Sequence, residues 1–225
     1  LRRSSAASDV YKRQILVGAL VLYGFGFSDI PDRGERLWAS IFHSISAYNN
    51  AGFGLWSDSL ERYHDNVLVN AVVMVLIVMG GLGWRVTSDL ASQGVRRGRR
   101  RLSLHTRLVL RTTLLLVVFG TLGLALTEWL NRGEVFIGMA WRERWMTALF
   151  ESVTARTAGF TTVPFSLENI TDSGTLLLMA LMFIGASPGG TGGGIKTTTV
   201  AALMAATRST MRGRDAVVIR NREIP

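Results

Sequence analysis

Residues 67–84 run for 18 positions without a charged side chain. A helix rises ~1.5 Å per residue and a bilayer's hydrocarbon core is ~30 Å thick, so a run of this length predicts a transmembrane helix. Residues 108–130 predict a second span, whose only charges, Arg111 and Glu128, lie near its ends, where long side chains snorkel to the interface. The 13-residue runs 15–27 and 174–186 are too short to cross. The first reads as the end of a longer helix. The second breaks at SPGGTGGG and resumes over residues 195–207, so the pieces together form one span interrupted at depth. Residues 37–48 and 141–155 are amphipathic, short and bounded by polar loops, which fits re-entrant half-helices.

Charge separates these runs. Residues 85–111 hold eight Arg and one acid, and residues 208–225 hold five Arg against two acids. Residues 28–66 carry six acids and three bases, and residues 128–173 carry six acids and four bases. Cationic and mildly anionic stretches alternating across apolar runs follow the positive-inside pattern of a multi-pass protein in the cell membrane, in contact with lipid, with Arg-rich loops cytoplasmic. The chain is 48% hydrophobic and 18% charged, unlike a soluble domain or a disordered one. No aromatic stacking platform accompanies the RRGRRR cluster at 96–101, so no nucleic-acid role is expected. That run reads as a solvated loop at the lipid surface, with docking of a regulatory subunit as the minor alternative. The absence of Cys excludes disulfides, Cys-based zinc sites and thiol catalysis. His43, His64 and His105 are expected at surfaces or interfaces. Residues 1–14, LRRSSAASDVYKRQ, are polar and lack an initiator Met, and we expect a non-native leader.

A repeat organises the rest. Phe42, Ser44 and Ala47 match Phe150, Ser152 and Ala155 at an offset of 108, and Ala51-Gly52-Phe53 match Ala158-Gly159-Phe160 at 107. Ser59-Leu60-Glu61 match Ser166-Leu167-Glu168 at 107, and each copy leads into an apolar helix ending in glycine. This period is far too long for a solenoid and points to duplication of a membrane module. Extended backbone at membrane depth is tolerated only inside protein or along a wet path, where carbonyls replace the water around a cation. Gly52 and Gly159 suit such a turn because glycine reaches left-handed dihedrals. The alternative is two plain glycine turns after amphipathic helices.

The motifs NNAGF, TARTAGFTTV and MFIGASPGGTGGGIKTTT resemble those of the Trk/Ktr/HKT potassium transporters, and the Ktr-type membrane subunit in particular. The resemblance covers residues 37–207. It implies an all-α integral membrane fold of helix–pore loop–helix units, of which this chain holds the second (15–84) and most of the third (108–211). Residues 85–107 would be a basic cytoplasmic loop and 212–225 a cytoplasmic tail, and the first and fourth units would lie elsewhere in a longer protein. Asn49, Asn50, Ala51, Gly52 and Phe53, with Thr157, Ala158, Gly159 and Phe160, would be two of four filter strands, coordinating K⁺ through backbone carbonyls. Ser187, Pro188, Gly189, Gly190, Thr191, Gly192, Gly193 and Gly194, with Lys196, would be the intramembrane gate. The family implies homodimers, cytosolic nucleotide-binding regulatory subunits on the inner face, and no cofactor beyond transported K⁺ and a coupling Na⁺. Trp84-Arg85 after GGLG departs from the family's pattern and bears on packing at that helix end.

Rival readings remain for several residues. GGTGGGIKT lacks the Gly-Lys pair of a phosphate loop, and no strand precedes it. The glycine run can be a mobile plug or a simple kink. Lys196 can restrain the loop or snorkel. Arg156 reads as scaffolding that Glu151 or another unit pairs with, and Asn49 and Asn50 as braces or ion contacts. No nucleophile–base pair or metal cluster suggests an enzyme. A Na⁺-selective transporter of the same superfamily and a non-conducting membrane interaction protein are the alternatives to K⁺ uptake.

Overall fold

A computed structural model describes residues 2–95, 102–130, 134–164, 169–212, 217–219 and 222–224. It is helical apart from a two-stranded hairpin near the end. The order is α1 (Arg2–Val21), α2 (Arg33–Tyr48), α3 (Val67–Leu82), α4 (Trp84–Val95), α5 (Leu104–Leu130), α6 (Trp141–Thr154), α7 (Asp172–Phe183) and α8 (Thr197–Met211). Helix α1 runs on into a wider π-helical turn, Leu22–Gly26. The strands β1 (Val217–Ile219) and β2 (Arg222–Ile224) pair antiparallel, Val217 opposite Ile224.

Side chains start these helices by accepting from amide groups that have no partner inside the first turn. Asp32 accepts from the Glu35 N–H at 2.7 Å before α2, and Asn66 accepts from Leu68 and Val69, both at 3.1 Å, before α3. Thr171 accepts from Gly174 at 3.1 Å before α7. Glu143, inside α6, reaches back to accept from the Ala140 N–H at 3.0 Å.

Two layers of the same build result. Helices α1 and α3 run antiparallel, with Gly18 against the Leu76 side chain and Gly26 against Val69. Helices α5 and α7 do likewise, with Gly120 against Leu181 and Gly123 against Leu177. The half-helices α2 and α6 wedge into these pairs. Ser44 donates to the Ile15 carbonyl at 2.6 Å, and Ser152 donates to the Val117 carbonyl at 2.9 Å. Phe27, Leu60, Val69 and Val73 from one layer and Phe150 and Phe160 from the other share a core.

Helix α5 is 27 residues long, about 40 Å, and is long and apolar enough to cross a bilayer. Its outer side presents Leu115, Phe119, Leu122 and Leu126, each more than half exposed, a stripe that suits lipid and not water. Helices α3 and α4 pass the same test together, bent by 105° at Gly83.

Several expectations change. Residues 85–95, read as the start of a basic loop, are helical, and so are 104–107 at its end. The Arg96–Arg101 cluster and the repeat's Ser166-Leu167-Glu168 lie outside the described residues. His43 is not at a surface: it is fully buried, its ring 4.5 Å from Trp56 in a stack and edge-on to Phe27. Glu128 does not snorkel. It is 4% exposed and accepts from the Thr171 hydroxyl at 2.8 Å, in a space that a Cβ on Gly174 would fill. That bond ties α5 to the cap of α7, so this acid is drawn inward.

Candidate functional site

Helices α2 and α6 end in matching turns. Past Tyr48, the Ala51 N–H donates to the Ser46 carbonyl at 2.9 Å; past Thr154, Ala158 donates to the Thr154 carbonyl at 2.9 Å and Gly159 to the same oxygen at 3.3 Å. Both turns then leave the right-handed region. Asn50 (φ 51°) and Gly52 (φ 70°) in the first have Thr157 (φ 73°) and Gly159 (φ 87°) as counterparts in the second. A non-glycine residue in this region is strained by ~1–2 kcal/mol, so the two non-glycine positions mark backbone held by its surroundings.

The two AGF segments touch. A Cβ on Gly52 would overlap the Ala158 carbonyl and lie 2.8 Å from the Gly159 Cα, while one on Gly159 would meet only the Gly52 Cα at 3.5 Å. Beyond them, the Leu60 N–H donates to the Thr161 carbonyl at 3.0 Å and Thr161 donates to the Ser59 hydroxyl at 3.2 Å.

Hydroxyls clamp each turn. Ser46 donates to the Phe53 carbonyl and Thr154 to the Phe160 carbonyl, both at 2.8 Å. Three residues earlier on each helix a second acceptor holds the next stretch. His43 Nε2 accepts from the Leu55 N–H at 3.5 Å, and Glu151 accepts from the Thr162 N–H at 3.2 Å and its hydroxyl at 3.3 Å. The sequence reading missed all four side chains. The hydroxyl match at an offset of 108, Ser46 with Thr154, was the available signal.

The glycine-rich stretch 187–194 lies directly against this place. Its neck is backbone paired: Gly185 N–H to Ile195 carbonyl at 3.0 Å, Ala186 to Gly193 at 3.0 Å, Ile195 to Phe183 at 3.1 Å. Its tip docks on the end of α3, with Ser187 N–H to Gly81 carbonyl at 2.9 Å and Thr191 N–H to Gly80 carbonyl at 3.1 Å. Gly80 has no room for a Cβ beneath the Tyr48 carbonyl, and Gly83 none beside Gly189. The Thr191 hydroxyl donates to the Tyr48 carbonyl at 3.0 Å and meets the Asn50 amide at 2.8 Å. Asn50 therefore braces the loop, while Asn49 is exposed and donates back to Ile45 at 2.8 Å.

Both cations near the loop bind backbone oxygen. Lys196 Nζ donates to the Gly192 carbonyl at 2.9 Å, which ties the loop to the start of α8. Arg156 donates to the Gly185 carbonyl at 3.4 Å; Glu151, spent on Thr162, does not pair with it. Among the described residues the one ion pair is Arg62 with Asp58, and no group of three His, Cys, Asp or Glu could hold a metal. In the loop outside the spans, Arg62 holds the Asp58 carboxyl below the usual carboxylate range. Burial and the bond to Asp29 push the Tyr63 phenol up.

Two helices thus end in abutting left-handed glycines, with a glycine-broken helix packed against them. Residues 14–224 match the family described as TrkH, cation transport protein. The chain belongs to that family. It is 36% identical over 222 residues to Ktr system potassium uptake protein B of Vibrio alginolyticus, covering 94% of this chain and 47% of the relative. It is 36% identical over 187 residues to the potassium/sodium uptake protein NtpJ of Enterococcus hirae, covering 82% and 40%. Among solved structures, the potassium transporter TrkH of Vibrio parahaemolyticus superposes with a TM-score of 0.76 at 21% identity, covering all of this chain and 45% of that one. The chain thus spans less than half the length of these relatives, and shares with them a helical membrane fold.

Proposed function

We propose that this TrkH-family chain forms part of a K⁺ uptake path. Residues 15–84 and 108–211 are read as two helix–pore loop–helix units. Residues 49–53 and 157–160 then supply two strands of a selectivity filter whose carbonyls replace the water around the ion. The observation that carries this reading is the abutment of Gly52 and Gly159, each in the left-handed region, at the C-terminal ends of two half-helices. Those ends carry partial negative charge, which favours a cation. The relative in Vibrio alginolyticus, named a potassium uptake protein, supports the ion assignment. The Enterococcus hirae relative, named for potassium and sodium, favours a second reading in which Na⁺ is also carried or coupled.

Residues 187–194 act in this proposal as a gate, held shut by Thr191, Asn50 and Lys196. The Arg-rich segments face the cytoplasm, the full protein is a homodimer, and a cytosolic nucleotide-binding subunit docks on its inner face. The test is uptake by cells that lack other K⁺ systems, using the transporter that carries these units. Gly159→Ser is expected to lower K⁺ over Na⁺ preference, and deletion of residues 190–193 to raise K⁺ flux. Unchanged selectivity in the first variant rules out the filter assignment; wild-type flux in the second means that the loop only kinks the helix.

A further inference from the structure

The two AGF turns differ in what stands at their first left-handed position. In the first turn it is Asn50, and asparagine visits that region because its short polar side chain can bond locally. In the second it is Thr157, at φ 73°, where a β-branched side chain is a true outlier. Such backbone persists only where its surroundings hold it. The Thr157 hydroxyl is also buried without a hydrogen-bond partner. A strained backbone and an unsatisfied hydroxyl thus meet in one residue of the turn, and both are unfavourable.

The glycine-rich loop is what presses on it. Gly192 is buried so close that a Cβ there would overlap the Thr157 hydroxyl and stand 3.6 Å from the Asn50 amide nitrogen. Only glycine at 192 lets the tip of the loop reach both turns. Arg156, one residue before Thr157, donates to the Gly185 carbonyl at 3.4 Å and fastens the same turn to the neck of the loop. Lys196 keeps Gly192 in place through its carbonyl, at 2.9 Å. On the first turn the loop is held by ordinary hydrogen bonds from Thr191 to Tyr48 and Asn50, with no such outlier beneath them.

We propose, resting on the assignment of residues 157–160 as a filter strand, that the docked loop sets ion preference as well as passage. Gly192 is the positioning residue and acts through Thr157. While the loop is docked, Thr157 stays left-handed and the carbonyls of its strand keep the arrangement that prefers K⁺. When the loop withdraws, water reaches the Thr157 hydroxyl and its backbone returns to an unstrained region. Its carbonyl turns with it, because the peptide unit is planar and moves as one piece. The coupling is reciprocal, so a relaxed Thr157 also weakens docking of the loop.

The test is the ratio of K⁺ to Na⁺ uptake by the full-length transporter in cells that lack other K⁺ systems, a ratio independent of how much protein reaches the membrane. Deletion of residues 190–193 is expected to lower K⁺ preference about tenfold, the equilibrium equivalent of releasing one strained residue. Gly192→Ala, which pushes Thr157 without shortening the loop, is expected to lower it in the same direction and serves where the deletion does not accumulate. In a Thr157→Gly background, where the left-handed region carries no strain, each change is expected to shift the ratio by no more than about twofold. Wild-type preference in both loop variants, or an equal loss in both backgrounds, overturns the proposal. Gly159→Ser in the same assay separates the two failures: if it shifts the ratio and the loop variants do not, the filter assignment stands and the coupling alone falls.

Discussion

At one place on the two half-helices, 108 positions apart, the first of the two units in this chain (15–84) carries His43 and the second of the two (108–211) carries Glu151. Both are buried, and both accept the backbone N–H two residues past the AGF motif, from Leu55 and from Thr162. The surroundings differ. His43 lies in an aromatic cluster of Phe27, Phe42 and Trp56, and its bond to Leu55 is long at 3.5 Å. Glu151 has no such cluster and takes two donors from Thr162 instead. The duplicated turn therefore needs an acceptor at this position and tolerates any chemistry that supplies one. In the first unit apolar packing carries most of the hold, in the second hydrogen bonding does. A bond left unmade at depth costs more than the bond gains when made, so at this one position the second unit is the more brittle under substitution.

The largest effect separates the two glycines. Gly52→Ala is expected to lose several kcal/mol, because backbone strain of ~1–2 kcal/mol adds to overlap with the Ala158 carbonyl worth ~1–3 kcal/mol. Gly159→Ala is expected to lose only the strain, ~1–2 kcal/mol. Thermal melting of the two variants orders them, and equal losses break the asymmetry between the loops. Next is Glu151→Leu, expected to cost ~1–3 kcal/mol by stranding the Thr162 donors, with Glu151→Gln much milder since an acceptor remains. If the glutamine variant is as damaged as the leucine one, the charge itself is required and the acceptor argument is wrong. Thr191→Val removes the bonds to Tyr48 and Asn50 and is expected to cost ~1–2 kcal/mol, seen as faster amide exchange in the glycine-rich loop. Ser46→Ala and Thr154→Val should match each other at ~1 kcal/mol if the hydroxyl clamps are equivalent. The smallest effect is at the exposed Arg62–Asp58 pair. Because Asp58 titrates below its ordinary range, the pair's contribution is present above that range and fades as pH falls through it. Arg62→Ala should therefore cost slightly more near neutrality than in strong acid, where only its contact with the Trp56 ring, 4.7 Å from the guanidinium, remains to be lost.

What could be read beforehand was what repeats or what breaks a period. The half-helices, Gly52, Gly159 and the interruption at 187–194 each leave a local mark, because glycine and apolar spacing act within a turn or two. Residues whose role depends on distant partners left none. Asn50 meets Thr191 across 141 positions and Glu128 meets Thr171 across 43. His43 and Glu151 share a position but no chemistry, so comparing letters could not pair them. Helix α4 escaped notice because the arginines beyond it make the whole stretch look like a loop, while Val86 and Thr87 supply a buried face only after Gly83 turns the chain.

The dependence of the glycine-rich loop on the end of α3 also sets an order of assembly. Its tip has no helix or strand of its own to complete; the carbonyls of Gly80, Gly81 and Tyr48, the last made 143 residues earlier, are its template. During synthesis the first unit must already be seated before this stretch can find its shape, since contacts so far apart in sequence form late. Until the end of α3 is in place, the amides of residues 187 and 191 have no acceptors, so the shape of this stretch is inherited from an earlier helix and not written in its own glycines.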